Sequence, residues 1–322
     1  MTIVWRVTER CNLSCKFCGY DRQLERPRCE ADPSAIVRFG AILSEYQKLT
    51  ADSVLVSWLG GEPLLWRPLA WLTKLFTQQY GLRVSTTTNG TTLSSLSVRE
   101  HLLDFYSELT ISVDGIGDLH DKLRGWPGGY AAVRKGVTAL ACAKQKNKRG
   151  PILRANVLLM RETLPGFREL CFELADWGIE EITFNQLGGN DRPEFFPGNR
   201  LLSEQVEMLA TCLPELRSVL ADRGVLLRGG HAYLNRMVAS SRGERLPVID
   251  CRAGETFLFI NEEGMAAPCS FTAVGYGVPI DQIAAAMDLL KLPERFATLR
   301  AIARQSACDD CHSTQVFEKF AA

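Results

Sequence analysis

No stretch of this 322-residue chain approaches the roughly 18 consecutive apolar residues that would cross a bilayer. Its opening run, MTIVWRVTERC, reaches a cysteine too soon to hold a charged leader, an apolar segment and a cleavage site. These two lacks predict a protein that stays in the cytoplasm and off the membrane. Net charge is lacking too: 37 Lys plus Arg balance 37 Asp plus Glu, so the long-range field is weak and points to neither nucleic acid nor an anionic membrane. There is no internal repeat and no low-complexity tract. Cysteine, by contrast, is plentiful.

Eleven cysteines is a high and odd count, and where the glutathione pool keeps thiols reduced a disulfide scaffold is a poor explanation for it. Metal binding is the better one. Seven of them fall in tight groups near the ends: Cys11, Cys15 and Cys18, then Cys251, Cys269, Cys308 and Cys311. The other four, Cys29, Cys142, Cys171 and Cys212, read for the most part as small core residues. In CNLSCKFCGY the spacing is C-x3-C-x2-C. Three thiolates on one short loop can hold three irons of a cubane cluster and leave the fourth iron open to a small molecule. Zinc also binds closely spaced cysteines, so the loop alone does not decide.

Short β-branched or apolar runs alternate with amphipathic stretches from residue 2 to about 187, the pattern of strand-helix units around a parallel sheet. Six strands are predicted, over 3–8, 54–58, 82–87, 108–113, 153–159 and 181–185, with helices over 33–49, 130–146 and 164–177. The fold class is α/β: a partial (β/α)6 TIM-like barrel over 1–190, a connector and helical segment over 191–250, and a small α+β unit over 251–322. Such barrels carry function on loops at the C-terminal ends of their strands. Cys11–Cys18, Gly60-Gly61-Glu62-Pro63, Asn89-Gly90 and Asp114-Gly115 all fall there. The two glycines are expected to let backbone approach a ligand and present its amides and carbonyls.

CNLSCKFC followed by GGEP, TTNG and SVDG resembles the radical S-adenosylmethionine superfamily over the first roughly 190 residues. The resemblance implies a 4Fe-4S cluster on Cys11, Cys15 and Cys18 whose open iron chelates S-adenosylmethionine, and an external one-electron donor such as flavodoxin or ferredoxin. Phe17 then matches the aromatic position near the adenine, and Gly60, Gly61, Glu62 and Pro63 match the stretch whose backbone receives the methionine amino group. Ser112 and Arg124, in SVDG and HDKLRG, match contacts to the ribose and the carboxylate, and Asn156 is a weaker ribose candidate. Cys251, Cys269, Cys308 and Cys311 resemble a Twitch domain, the truncated relative of SPASM, and imply a second 4Fe-4S cluster. His312 reads as a polar neighbour of that set, and the pair His120 and Asp121 as structural.

The resemblance further implies reductive cleavage of S-adenosylmethionine to a 5′-deoxyadenosyl radical, which takes a hydrogen atom from the substrate. Dehydrogenation or epimerisation of a small polar molecule of sugar or cyclitol type is the leading expectation. The alternative is a maturase that modifies a ribosomally made peptide by a crosslink, a thioether or epimerisation. A non-catalytic zinc-binding module is the third reading. An epimerase would need a hydrogen donor, for which Cys29 is the first candidate and Cys212 the second.

Overall fold

In the computed structural model, which describes residues 1–320, β1 (Thr2–Thr8), β2 (Leu55–Gly60), β3 (Arg83–Thr88), β4 (Glu108–Ser112), β5 (Ile152–Leu159) and β6 (Glu181–Gln186) lie within two residues of the predicted strands. A two-residue β7 (Leu226–Leu227) adds to this series on the β6 side. The strands pair in parallel in chain order, and the sheet stays open at β7. The expected α/β partial barrel is therefore what forms.

Alternation along each strand explains the layering. Ile3, Trp5 and Val7 of β1 are fully buried beneath the helices, where Trp5 meets Phe39 edge-on with ring centroids 5.6 Å apart and Trp58 at 6.1 Å. Phe39 comes from the helix Pro33–Thr50, which starts where Asp32 accepts the Ser34 and Ala35 amides. The opposite faces of β3 and β4 are polar. At the N-terminal ends, Arg83 pairs with Glu108 (3.0 Å), Arg154 with Glu108 (3.1 Å) and Glu181 (2.7 Å), and Arg228 with Glu181 (2.8 Å). This chain of ion pairs across β3 to β7 fills the floor of the barrel and leaves the opposite rim for chemistry.

Three further strands, β8 (Phe257–Ile260), β9 (Met265–Ala267) and β10 (Val278–Pro279), come from the C-terminal segment. β8 runs parallel to β1, with Val4 opposite Phe259, and β9 and β10 follow antiparallel. One sheet thus sets β1, which leads into the first cysteine group, beside β8 and β9, which run between Cys251 and Cys269 of the second. The helices Leu69–Gln78, Leu96–Phe105 and His231–Arg242 complete the outer layer and were not among those read from the sequence. The C-terminal tail lies along the open β7 edge: the Gly230 amide donates to the Glu318 carbonyl (3.2 Å) and Arg228 to the Phe320 carbonyl (3.0 Å). Among the described residues no helix is long and apolar enough to cross a membrane.

Candidate active site and cysteine centres

The loop after β1 is held by its neighbours on the rim. Glu62 is fully buried, and its carboxylate accepts from the Asn89 amide (2.7 Å), the Thr88 hydroxyl (2.8 Å) and the Leu64 amide (3.1 Å). Burial pushes its pKa up to about 7, against the pull of those three donors. Asn89 in turn directs its side-chain NH2 at Asn12 Oδ1 (3.0 Å) and Cys11 Sγ (3.7 Å). Glu62 therefore acts as a bracket that fixes the loop after β3 against the cysteine loop.

The glycines before it fix how closely the two loops approach. The Gly61 amide donates to Thr8 O (2.8 Å) and the Glu62 amide to Arg10 O (2.9 Å), so these two amides tie the loop after β2 to the start of the cysteine loop. A Cβ on Gly60 would strike the Thr8 carbonyl and one on Gly61 the Arg10 carbonyl. Only glycine permits that approach. Pro63 is buried at the start of the short 3-10 turn Pro63–Leu65.

Asp114 and Arg124 form a second brace. Their side chains meet at 2.6 Å, with Asp114 completely buried. Asp114 also accepts the Leu158 amide at 2.9 Å, tying the loop after β4 to β5. Arg124 lies over the Phe17 ring at 5.5 Å, and its carbonyl accepts from the Ser14 amide (3.4 Å) and the Cys15 thiol (3.8 Å). The guanidinium read as a contact for a ligand carboxylate thus already has a carboxylate partner within the protein, which the sequence reading did not single out. The signal was present in the Asp of SVDG. His120 is buried, with Nδ1 accepting from the Asp114 amide (3.3 Å) and a pKa lowered to about 4 by burial and Arg124. Asp121 accepts the Gly128 (2.5 Å) and Tyr130 (2.7 Å) amides at the start of the helix Gly129–Asn147. Both residues are structural.

The three rim thiols share one loop. Burial raises Cys11, takes Cys15 up to about 11 and Cys18 up to about 12, and negative charge on Cys11 adds to the rise at the other two. Cys18 Sγ accepts the Tyr20 amide at 3.4 Å. Thiols that cannot ionise alone yet have N–H donors aimed at sulfur fit a cationic iron cluster, which removes their protons and leaves sulfur needing hydrogen bonds. Among the described residues no three His, Cys, Asp or Glu side chains gather around a point suited to a single ion; a cubane instead asks for thiolates spread to its corners.

Cys18 opens onto a cavity of about 540 Å³ that Phe17, Ser112, Arg124 and Asn156 also line. Asn185, Gln186, Tyr233 and Arg236 line it from the far side, and Cys269, Phe271 and His312 close it. Four of the residues read as cofactor contacts are thus brought together with the cluster loop, while Gly60, Gly61, Glu62 and Pro63 lie outside that lining. Asn156 accepts from Thr183 and Asn185, both at 3.1 Å. Cys251, Cys269, Cys308 and Cys311 line an adjoining cavity of about 80 Å³. There Arg300 donates to Cys251 Sγ (2.7 Å) and Arg236 to the Cys311 carbonyl (2.8 Å). Burial and its three companions hold the Cys311 thiol at about 11. His312 sits between Arg236 and Asp310 as a neighbour of the set.

The scattered cysteines depart from the expectation of core residues. Only Cys171 is buried; Cys29, Cys142 and Cys212 are exposed. Cys29 lies where the chain turns back beside Glu9, outside the cavity lining. Hydrophobicity alone could not place a residue that is small enough to be tolerated on either side.

A parallel, open barrel with a three-thiol loop on its rim and a ligand-sized cavity beside it defines an iron-sulfur barrel protein. Residues 5–174 match the Radical SAM superfamily, and the chain belongs to that superfamily. It is a radical S-adenosylmethionine enzyme. Two curated relatives, each an AdoMet-dependent heme synthase, resemble it over most of its length. That of Oleidesulfovibrio alaskensis is 24% identical over 85% of this chain and 71% of its own. That of Methanosarcina barkeri is 25% identical over 84% and 77%. The crystal structure of Streptococcus suis SuiB bound to S-adenosylmethionine superposes with a TM-score of 0.67 at 17% identity, over 98% of this chain and 72% of that one; it shows the shared fold.

Proposed function

We propose that the chain holds a second 4Fe-4S cluster on Cys251, Cys269, Cys308 and Cys311, within a Twitch/SPASM-like segment over 251–322, and dehydrogenates a substrate bound between the two cysteine groups. One observation carries this reading: Cys18 of the first group and Cys269 of the second line the same cavity. When bound, the two clusters and S-adenosylmethionine supply a 5′-deoxyadenosyl radical and an acceptor for the electron left on the substrate. The chain's own residues hold and shield. Phe17, with Arg124 against its face, offers a flat apolar surface for adenine, and Ser112 with Asn156 offers polar groups to a ribose. Gly60 and Gly61 let the loop after β2 pack directly against the Thr8 and Arg10 carbonyls at the start of the cysteine loop.

About 540 Å³ has to receive S-adenosylmethionine together with the reacting part of the substrate. That suits a small polar molecule, or one edge of a larger one, and Asn185, Gln186 and Tyr233 give it polar walls. A sugar or cyclitol fits the first description. The names of the heme synthase relatives favour the second, a tetrapyrrole presented by its rim. Dehydrogenation is preferred to epimerisation because Cys29 and Cys212, the candidate hydrogen donors, stand outside the lining.

Iron analysis with two variants tests the proposal. Anaerobically reconstituted protein should hold about eight irons per chain. Cys269→Ala should retain the rim cluster and the release of 5′-deoxyadenosine under dithionite, whereas Cys18→Ala should lose that release. A wild-type protein with only about four irons, or a Cys269→Ala variant with unchanged iron content, would refute the second cluster.

A further inference from the structure

Lys319 stands on the tail that covers the open edge of the barrel, yet its ammonium points inward. The residue is 8% exposed and lines the large cavity together with Ser112, Asn156 and Asn185. Among the described residues the ammonium makes one hydrogen bond, to Asn156 Oδ1 at 3.0 Å. That oxygen already accepts from Thr183 Oγ1 and Asn185 Nδ2, so three donors compete for two lone pairs. An ammonium carries three N–H groups, and the remaining ones meet no acceptor among the described residues.

Its charge is equally unmet. Among the described residues no carboxylate lies within ion-pair distance of Lys319. The charge that acts on it is the like charge of Arg154, whose own carboxylate partners are Glu108 and Glu181. The Phe320 ring, 5.3 Å from Nζ, is half in solvent and gives the weak attraction of an aromatic face. Asp191, the one carboxylate on the cavity wall, sits at the other end beside Cys18 and Tyr20. Buried charges in folded proteins are paired. Here the missing partner faces a ligand cavity.

We propose that Lys319 is a ligand-binding residue whose ammonium receives an oxyanion, a carboxylate or a phosphate, of a molecule bound in this cavity. The inference rests on reading the cavity as the place where substrate and S-adenosylmethionine meet, and it adds a chemical class: a wholly neutral sugar would leave the charge unanswered. The oxyanion belongs either to the substrate or to the carboxylate of S-adenosylmethionine. Burial and Arg154 lower the amine to about 7, so a substantial share of it is free base near neutral pH and open to acylation.

The test is competitive acetylation of the reconstituted wild-type enzyme with trace acetic anhydride, the modification at Lys319 being read by mass spectrometry. The probes are acetate, inorganic phosphate, S-adenosylmethionine and decarboxylated S-adenosylmethionine. Protection by acetate or phosphate, with none from S-adenosylmethionine, supports the site and gives the oxyanion to the substrate. Protection by S-adenosylmethionine but not by its decarboxylated form supports the site and gives the oxyanion to the cofactor. Lys319→Met should then weaken S-adenosylmethionine binding by about tenfold, with Lys319→Arg restoring much of it. Protection by no probe, or equal protection by both forms of S-adenosylmethionine without any from the small anions, overturns the proposal and leaves Lys319 a latch for the tail. Release of 5′-deoxyadenosine in the same preparation reports separately on the radical reading: its absence would sink that reading while the labelling result stands.

Discussion

Replacing Asp114 probes the brace that holds the cluster loop. Its carboxylate meets the Arg124 guanidinium at 2.6 Å with both side chains almost wholly out of water, and it accepts the Leu158 amide at 2.9 Å. Breaking a buried pair from one side costs about 3–5 kcal/mol, because the remaining charge is left uncompensated. Asp114→Asn keeps an acceptor for Leu158 and removes only the charge, so it should fall near the lower figure. Asp114→Ala orphans the amide as well and should fall near the upper one. At about 1.5 °C per kcal/mol for a chain of this length, the melting temperature should drop by roughly 4–8 °C. Circular dichroism follows the fold and absorbance near 400 nm follows the cluster. The cluster signal should be lost first, because the Arg124 carbonyl anchors Ser14 and Cys15. The double variant Asp114→Leu with Arg124→Met removes both charges and should recover most of the loss. A drop of less than about 2 °C for Asp114→Asn, or a double variant as unstable as the sum of its singles, would refute the argument.

Two further predictions concern protons. Glu62 has its pKa raised from 4.5 to about 7 by burial, so between those values the folded chain keeps a proton that the unfolded chain has released. Its contribution to stability is complete below pH 4.5 and is lost as pH rises through 7, to the extent of about 3 kcal/mol. Urea denaturation of wild type and Glu62→Gln at pH 5 and pH 7.5 should show their difference changing by about 2.4 kcal/mol of that total, and a constant difference would contradict it. The rim thiols, with Cys15 at about 11 and Cys18 at about 12, are protonated at neutral pH and must lose those protons to iron. Reconstitution in weak buffer should release about three protons per rim cluster and proceed further at pH 8.5 than at pH 6.5; release of fewer than one would mean that the thiols are not the ligands.

The barrel was legible because its signal is local. Apolar residues at alternate positions, as in Ile3, Trp5 and Val7, mark a strand whatever the rest of the chain does, and the C-x3-C-x2-C loop is contiguous. The pairing of β8 with β1 was not legible, since it joins residues 255 positions apart through backbone hydrogen bonds that leave no trace in side-chain pattern. The same holds for Arg124. In sequence it is an arginine in a recognisable motif; in the fold its charge is already committed to Asp114.

The linear order of residues determined the α/β class, the rim position of the first three cysteines and the existence of a second set, because spacing and periodicity are properties of neighbours along a chain. Tertiary structure decided that Cys18 and Cys269 open onto one cavity and that the Glu62 carboxylate braces the loop after β3. It also decided that Lys319, from the far end of the chain, enters the barrel through its open side. Distance, burial and the presence or absence of a counterion arise only when remote segments pack, and these are the quantities that set what a side chain can do.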